Sequence, residues 1–280
     1  MALLRGKWEQ HPLLGPHVGR GPARPGERLT HVGGRNFAAR LRPERAIEAI
    51  RLALGGSKAV LEVGARVGTL SRAVARACGG CTVVDPDPDN VATLRSIADP
   101  GLRVFQGRTE RLPFAAGSFD AVLAAWALQY ADHPGRAVLE MARVTRWQPG
   151  ARIILLQCAP WNALLRLYHQ CARQAGKVAR AHHGQLLAEA AAVLEQVGFS
   201  RITVAPVEVR WDLSDLAVDQ RFPAAVAMTQ ALHGFPLAEL NSGPAALAGM
   251  RAAAAAGDLC DDGVLLVAER PWRSKGGPSR

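Results

Sequence analysis

From residue 59 onward the chain repeats one pattern: a short apolar run, then a stretch with helical spacing. AVLEV (59–63) leads into TLSRAVARAC, CTVVD leads into NVATLRSIA, and LRVFQ, FDAVLAA, PGRAVLEMARVTR and ARIILLQ continue the series. Runs of four to seven apolar residues suit strands buried on both faces, and helices of roughly ten to fifteen residues between them force each new strand to run parallel to the last. The pattern therefore predicts a doubly wound α/β domain with a mostly parallel sheet. In such sheets ligands bind beyond the carboxyl ends of the strands, so the residues after each run carry the functional information.

Before this repeat, residues 1–42 are rich in Gly, Pro and Arg and read as an irregular arm. PERAIEAIRLALGG then reads as a helix, with Pro43 at its start and Gly55-Gly56 at its end. The globular domain is expected to span 43–280. After the repeat, GQLLAEAAAVLEQVGF reads as a helix and RITVAPVEVRW as a single strand of alternating faces. Residues 212–257 read as a mostly helical insertion before a last strand, GVLLVAE. That insertion is apolar enough to need a partner surface, either the sheet edge or the pocket.

Charge divides along the same boundary. Residues 1–51 carry ten Arg/Lys against four Asp/Glu, a net of +6, out of +10 for all 280 residues. A solvated basic arm is the plain reading; an anionic partner or organellar import is the alternative. No apolar stretch approaches the roughly 20 residues needed to cross a bilayer, and MALLRGKWEQ lacks a leader pattern, so the expected location is the cytoplasm. Cys78 and Cys81 form one C-x-x-C across Gly79-Gly80, without the second pair or the His pair of a zinc site. No metal is expected.

The loop after the first run, LEVGARVGTLS, excludes two cofactor classes. A dinucleotide fingerprint needs a second glycine where Arg66 stands, and a P-loop needs Gly-Lys-Ser/Thr. An adenosine derivative without phosphates needs a tight turn and an acid for the ribose hydroxyls. Asp85 ends the second run, 21 residues after Gly64, in position for that contact; a solubilising acid in the turn DPDPDN is the competing reading.

LEVGARVG, VVD and ERLPFAAGSFDAVLAAWALQYADHPGRAVLEMARVTRWQPGARIIL together resemble the class I S-adenosylmethionine-dependent methyltransferases, in the branch of the ubiquinone/menaquinone-biosynthesis C-methyltransferases and related small-molecule enzymes. The resemblance covers roughly residues 45–157, with weaker echoes in LLAEAAAVLEQVGF and GVLLVAERP. It implies a seven-stranded Rossmann-like sheet and S-adenosylmethionine as cofactor. It also implies that Glu62 organises the loop and the cofactor's amino group, and that Gly64, Ala65, Arg66 and Gly68 approach its methionine part. Asp85 and Pro86 would lie at the ribose, Arg108 and Thr109 at the adenine, and Ala124, Ala125 and Trp126 at the methionine end. The sequence departs from the family pattern at Arg66, which replaces a glycine, and at Arg108, which stands where an acid is usual. Leu112, Pro113, Phe114 and Phe119 read as packing.

Methyl transfer from a sulfonium asks the protein mainly to align the acceptor and, where needed, to remove its proton. His133 and His169 are candidate bases, with surface or packing roles as the plainer alternative. Trp126, Tyr130, Trp161 and Tyr168 are candidates for an apolar acceptor pocket or for core packing. Residues 159–183 and 212–257 are candidate covers. The leading reading is a transferase acting on a small apolar or aromatic metabolite. The alternative is a protein of the same fold that does not transfer methyl groups, such as a cyclase, an isomerase or an assembly module. Nucleic acid is disfavoured as a partner, because AAWALQ stands where an N-P-P-Y-like quartet would be and no basic stretch interleaves aromatics.

Overall fold

The computed structural model describes residues 7–14, 40–66, 68–162, 183–233 and 244–271. Its first half runs β1 (Leu41–Arg42), α1 (Glu44–Leu54), β2 (Val60–Val63), α2 (Thr69–Cys78), β3 (Cys81–Asp85), α3 (Pro88–Ser96), β4 (Leu102–Gln106) and β5 (Ala121–Ala125). After a 3-10 turn at Leu128–Tyr130 follow α4 (Pro134–Val144), β6 (Arg152–Cys158), α5 (His183–Gln196), β7 (Arg201–Val207) and β8 (Arg210–Asp212). The chain closes with α6 (Val218–His233), α7 (Pro244–Ala256), β9 (Asp258–Cys260) and β10 (Gly263–Glu269).

Seven strands form one sheet in the order β4-β3-β2-β5-β6-β10-β7, parallel throughout except for β10. Every residue of β2 and β3 is buried, which is why these strands read as unbroken apolar runs. β4 is the edge strand and is only partly covered. β10 enters antiparallel between β6 and β7, and the outer strand β7 accommodates Pro206, whose missing N–H would break a ladder bond in a central strand. α1 turns Ala46, Ile50 and Leu54 inward at a spacing of four and stops at Gly55, whose N–H reaches Leu52 O at 3.1 Å. Leu112 and Phe119 are buried, and Phe114 stacks edge-on against both Phe105 and Phe119, so the LPF–SFD stretch packs the edge of β4 against α4. Cys78 and Cys81 are buried free thiols.

Two features differ from the expectations. RITVAPVEVRW is not one strand: β7 ends at Val207, and β8 joins a second, three-stranded antiparallel sheet in the order β1-β8-β9. The covered apolar positions shift from even numbers (Ile202, Val204) to odd numbers (Val207, Val209, Trp211) at Ala205-Pro206, and this one-residue slip is what marks the break in the sequence. Residues 212–257 accordingly leave a strand before turning helical. Trp211, Leu213, Ala225, Met228, Ala254 and Leu259 form a small core that also takes in Cys158, at the carboxyl end of β6.

The second difference concerns the arm. Residues 7–14 are docked, not solvated: Trp8 and Leu14 are buried in the main core, the Trp8 indole donates to Glu195 Oε2 at 3.0 Å, and Lys7 pairs with Glu195 Oε1 at 2.8 Å. Arg42 pairs with Asp212 at 2.9 Å and Arg40 pairs with Asp215, so part of the basic excess is neutralised against the start of the insertion. Among the described residues no helix is long and apolar enough to cross a membrane.

Candidate functional site

Glu62 sits in β2 with both faces of the strand covered. Its carboxyl is 3% exposed, and Oε2 has no hydrogen-bond partner. Burial pushes its pKa up to about 7, opposed by the Ser71 hydroxyl and reinforced by the charge of Asp85. The Ser71 hydroxyl acts here without meeting hydrogen-bond geometry. The loop then turns on Gly64, at φ 77°, whose N–H donates to Val84 O at 2.8 Å. A Cβ at this position would lie 2.6 Å from Ala127 Cβ, so the loop and the segment after β5 touch there in a way only glycine permits.

Arg66 takes the left-handed conformation, φ 52°, that a glycine would adopt freely. Its N–H donates to Asp85 Oδ2 at 2.9 Å. Its guanidinium is half-buried and makes no hydrogen bond or ion pair among the described residues. Gly68, at φ 79°, starts α2, and Ala65 O accepts its N–H at 3.0 Å.

Asp85 is 2% exposed, and its oxygens are already engaged. Oδ1 accepts from the Asp87 N–H at 3.0 Å and from Asn90 Nδ2 at 3.1 Å, while Oδ2 accepts from Arg66. The residue expected only to receive a ribose also ties the glycine loop to the start of α3. A solubilising acid is the wrong description of it. Pro86, beside it, is exposed.

Arg108 points outward. Its side chain is 65% exposed, pairs with Asp132, and lies 3.8 Å from Glu110. Glu110 is buried, and its Oε1 accepts the N–H groups of Asp132 (2.7 Å) and His133 (3.3 Å). This acid–base belt fastens the loop after β4 to the loop after β5, with Thr109 buried beneath it. His133 is exposed at the cap of α4.

At the end of β5, Ala124 is buried and Ala125 half-buried; Trp126, just beyond the strand, sits at φ 49° and donates its N–H to Leu156 O at 2.8 Å. Its half-buried ring packs between the small core and the core under α1, and the indole Nε1 has no partner. Tyr130 and Trp161 are half-buried, and Trp161 packs on the main core. Tyr168 and His169 lie outside the described residues, as does most of 159–183.

Two groups escaped the reading of the sequence. Asp261, just before β10, accepts from Asn162 Nδ2 at 2.5 Å and from the Trp211 indole at 2.8 Å, joining the end of β6 to the second sheet; burial raises its pKa to about 6, against the pull of these two donors. The acidic pair in CDDGVLL was its only signal. Gln157 is fully buried in β6 with neither end of its amide bonded, visible in advance only as a polar residue closing ARIILLQ. Among the described residues no group of His, Cys, Asp or Glu is arranged to hold a metal ion.

Comparison with known proteins agrees with this geometry. Residues 61–155 match the family model described as a methyltransferase domain. The norajmaline N-methyltransferase of Rauvolfia serpentina is 31% identical over 170 residues, covering 56% of this chain and 56% of that protein. The ubiquinone/menaquinone biosynthesis C-methyltransferase UbiE of Burkholderia vietnamiensis is 32% identical over 119 residues, 39% of this chain and 47% of that one. The chain thus spans about half the length of these curated relatives. The crystal structure of the YcgJ protein from Bacillus subtilis shares the fold, with a TM-score of 0.57 at 18% identity over 81% of this chain and 99% of that one. Residues 61–155 thus match a methyltransferase domain, and the seven-stranded sheet has the fold that this chain shares with the YcgJ protein.

Proposed function

We propose that this chain transfers a methyl group from S-adenosylmethionine to a small, apolar or aromatic metabolite. The observation that carries the reading is that, within five residues at the end of β2 and in the loop after it, buried Glu62 has a carboxyl oxygen without a partner and half-buried Arg66 has a side chain that makes no hydrogen bond or ion pair among the described residues. Glu62 suits an α-ammonium and Arg66 suits an α-carboxylate, the two charges at the amino-acid end of the cofactor. Asp85, with three of roughly four acceptor positions used, retains one for a ribose hydroxyl. Gly107 is proposed to face the adenine; a Cβ there would meet Pro113 Cδ at 3.0 Å and Val84 Cγ2 at 3.1 Å, so the turn packs closely on its protein side.

The bound cofactor supplies an activated methyl group on a sulfonium. What remains for the protein is alignment and exclusion of water. The described part of 212–257 rests on Cys158 and Trp126, at the carboxyl ends of β6 and β5, which supports a covering role for it. Residues 159–183 and the basic arm are proposed to complete the cover. Arg108, held by Asp132 on the surface, is not placed to repel the donor. The proposed setting is the cytoplasm, with a small molecule as partner.

Isothermal calorimetry with S-adenosylmethionine and S-adenosylhomocysteine tests the reading. Binding of both is expected. Binding of neither would remove the transferase reading and leave an assembly module of the same fold.

A further inference from the structure

On β6 four buried aliphatic residues, Ile153 to Leu156, are followed by Gln157, which is 0% exposed and has no partner for either Nε2 or Oε1. Leu155, two residues earlier, belongs to the main core, so the pleat directs Gln157 to that same face. Its height is known as well. Leu156 O accepts the N–H of Trp126, which sets Gln157 level with the segment after β5, the Ala124–Trp126 backbone assigned to the reacting end of the cofactor.

α5 covers this face and packs against both β6 and the 3-10 turn. α5 and the turn each bring a further amide. Gln129, in the turn, and Gln185, in α5, also have buried Oε1 atoms without partners. Gln185 Nε2 is engaged by Glu189 Oε1 at 3.4 Å, the one carboxylate found against these amides among the described residues. Buried polar groups in folded chains are satisfied as a rule, and an exception calls for a missing partner. The three exceptions lie on α5 and on the two elements that it packs against, β6 and the 3-10 turn, and one shared partner would satisfy them.

We infer that Gln157, with Gln129 and Gln185, recognises an uncharged acceptor bearing a hydroxyl or ring carbonyl. A primary amide offers one acceptor oxygen and two donor hydrogens, which complements a phenol, an enol or a quinone-like carbonyl. At Gln157, whose amide has no charged group in hydrogen-bond contact among the described residues, an ammonium or a carboxylate would lose its hydration without gaining a counter-charge. The inference rests on the transferase reading and narrows its substrate class.

The test loads the protein with S-adenosylhomocysteine and measures, by saturation-transfer NMR, the dissociation constants of phenol, toluene, benzylammonium and benzoate. Phenol is expected to bind about tenfold more tightly than toluene and than either ion. Gln157→Met should bring phenol down to the toluene level, leave the S-adenosylhomocysteine affinity unchanged by calorimetry, and raise Tm, since two unpartnered polar groups are gone. Gln185→Met serves as the second variant if the first does not fold, with the same loss expected. Preference for an ion, phenol binding insensitive to these variants, or no binding of any probe to the loaded protein overturns the inference. Failure of the wild type to bind S-adenosylhomocysteine instead removes the transferase reading beneath it.

Discussion

The backbone N–H of Arg66 donates to Asp85 Oδ2 at 2.9 Å, joining the turn after β2 to the end of β3. The left-handed φ of Arg66 and the buried carboxylate of Asp85 are thus two halves of one device. The loop keeps the glycine-like path without the glycine because the acid holds its amide.

Asp85→Ala should therefore do two things. It removes three hydrogen bonds to a charged acceptor, each contributing about 1.5–3 kcal/mol, and frees the loop. Expected are a lower midpoint in urea unfolding and a loss of at least tenfold in cofactor affinity by calorimetry. A mutant of unchanged stability would mean that the bonds seen here do not hold the loop.

Arg66→Gly separates the backbone from the side chain. Relief of a left-handed residue, about 1–2 kcal/mol, is offset by the added chain entropy of glycine, about 0.4–1 kcal/mol, so stability should rise by no more than about 1.5 kcal/mol. Loss of the guanidinium should weaken S-adenosylmethionine and S-adenosylhomocysteine by the same factor, about fivefold to twentyfold, since both carry the carboxylate. Tightening of the donor alone by about tenfold would place the guanidinium at the sulfonium instead.

Glu62 predicts a pH dependence. Its pKa in the folded chain, about 7, exceeds its ordinary 4.5, so between these values the folded state holds a proton that the unfolded state has released. Stability is therefore lost as pH rises from about 4.5 to 7, by on the order of 3 kcal/mol. Asp261 contributes in the same direction up to about 6. Urea unfolding of Glu62→Gln from pH 4.5 to 8 should show a shallower fall than the wild type. Cofactor affinity should increase as pH rises toward 7, because an ammonium favours the carboxylate; parallel curves for the two proteins would contradict the burial of this charge.

Trp8 anchors the start of the chain. Trp8→Ala removes a buried ring and the bond to Glu195, and should cost about 3–5 kcal/mol in equilibrium unfolding. An effect under about 0.5 kcal/mol would return residues 7–14 to the solvated arm read from composition.

The difference between what was legible and what was not has physical causes. β2, β3, β5 and β6 stood out because both faces are buried, and the acid at the end of β3 stood out because strand ends are where such sheets bind ligands. Asp85 was singled out as the acid at a strand end, but its grip on Arg66 was not, since side-chain to backbone bonds leave no spacing rule. The passage from β7 to β8 left only a one-residue slip of the alternation at Ala205-Pro206, where apolar residues fill both phases and blur it. Trp8 was hidden within a Gly/Pro/Arg-rich composition. Gln129, Gln157 and Gln185 lie on elements joined through the contacts of α5, which sequence distance does not reveal.

The central claim is that the loop after β2 holds S-adenosylmethionine by its amino-acid end, between Glu62 and Arg66. The most direct measurement is calorimetry of the wild type and of Glu62→Gln and Arg66→Gly with S-adenosylmethionine and with adenosine. The account predicts that each variant loses about fivefold or more for S-adenosylmethionine and is unchanged for adenosine, which lacks the amino-acid end. Equal losses for both ligands, or none for either, would contradict it.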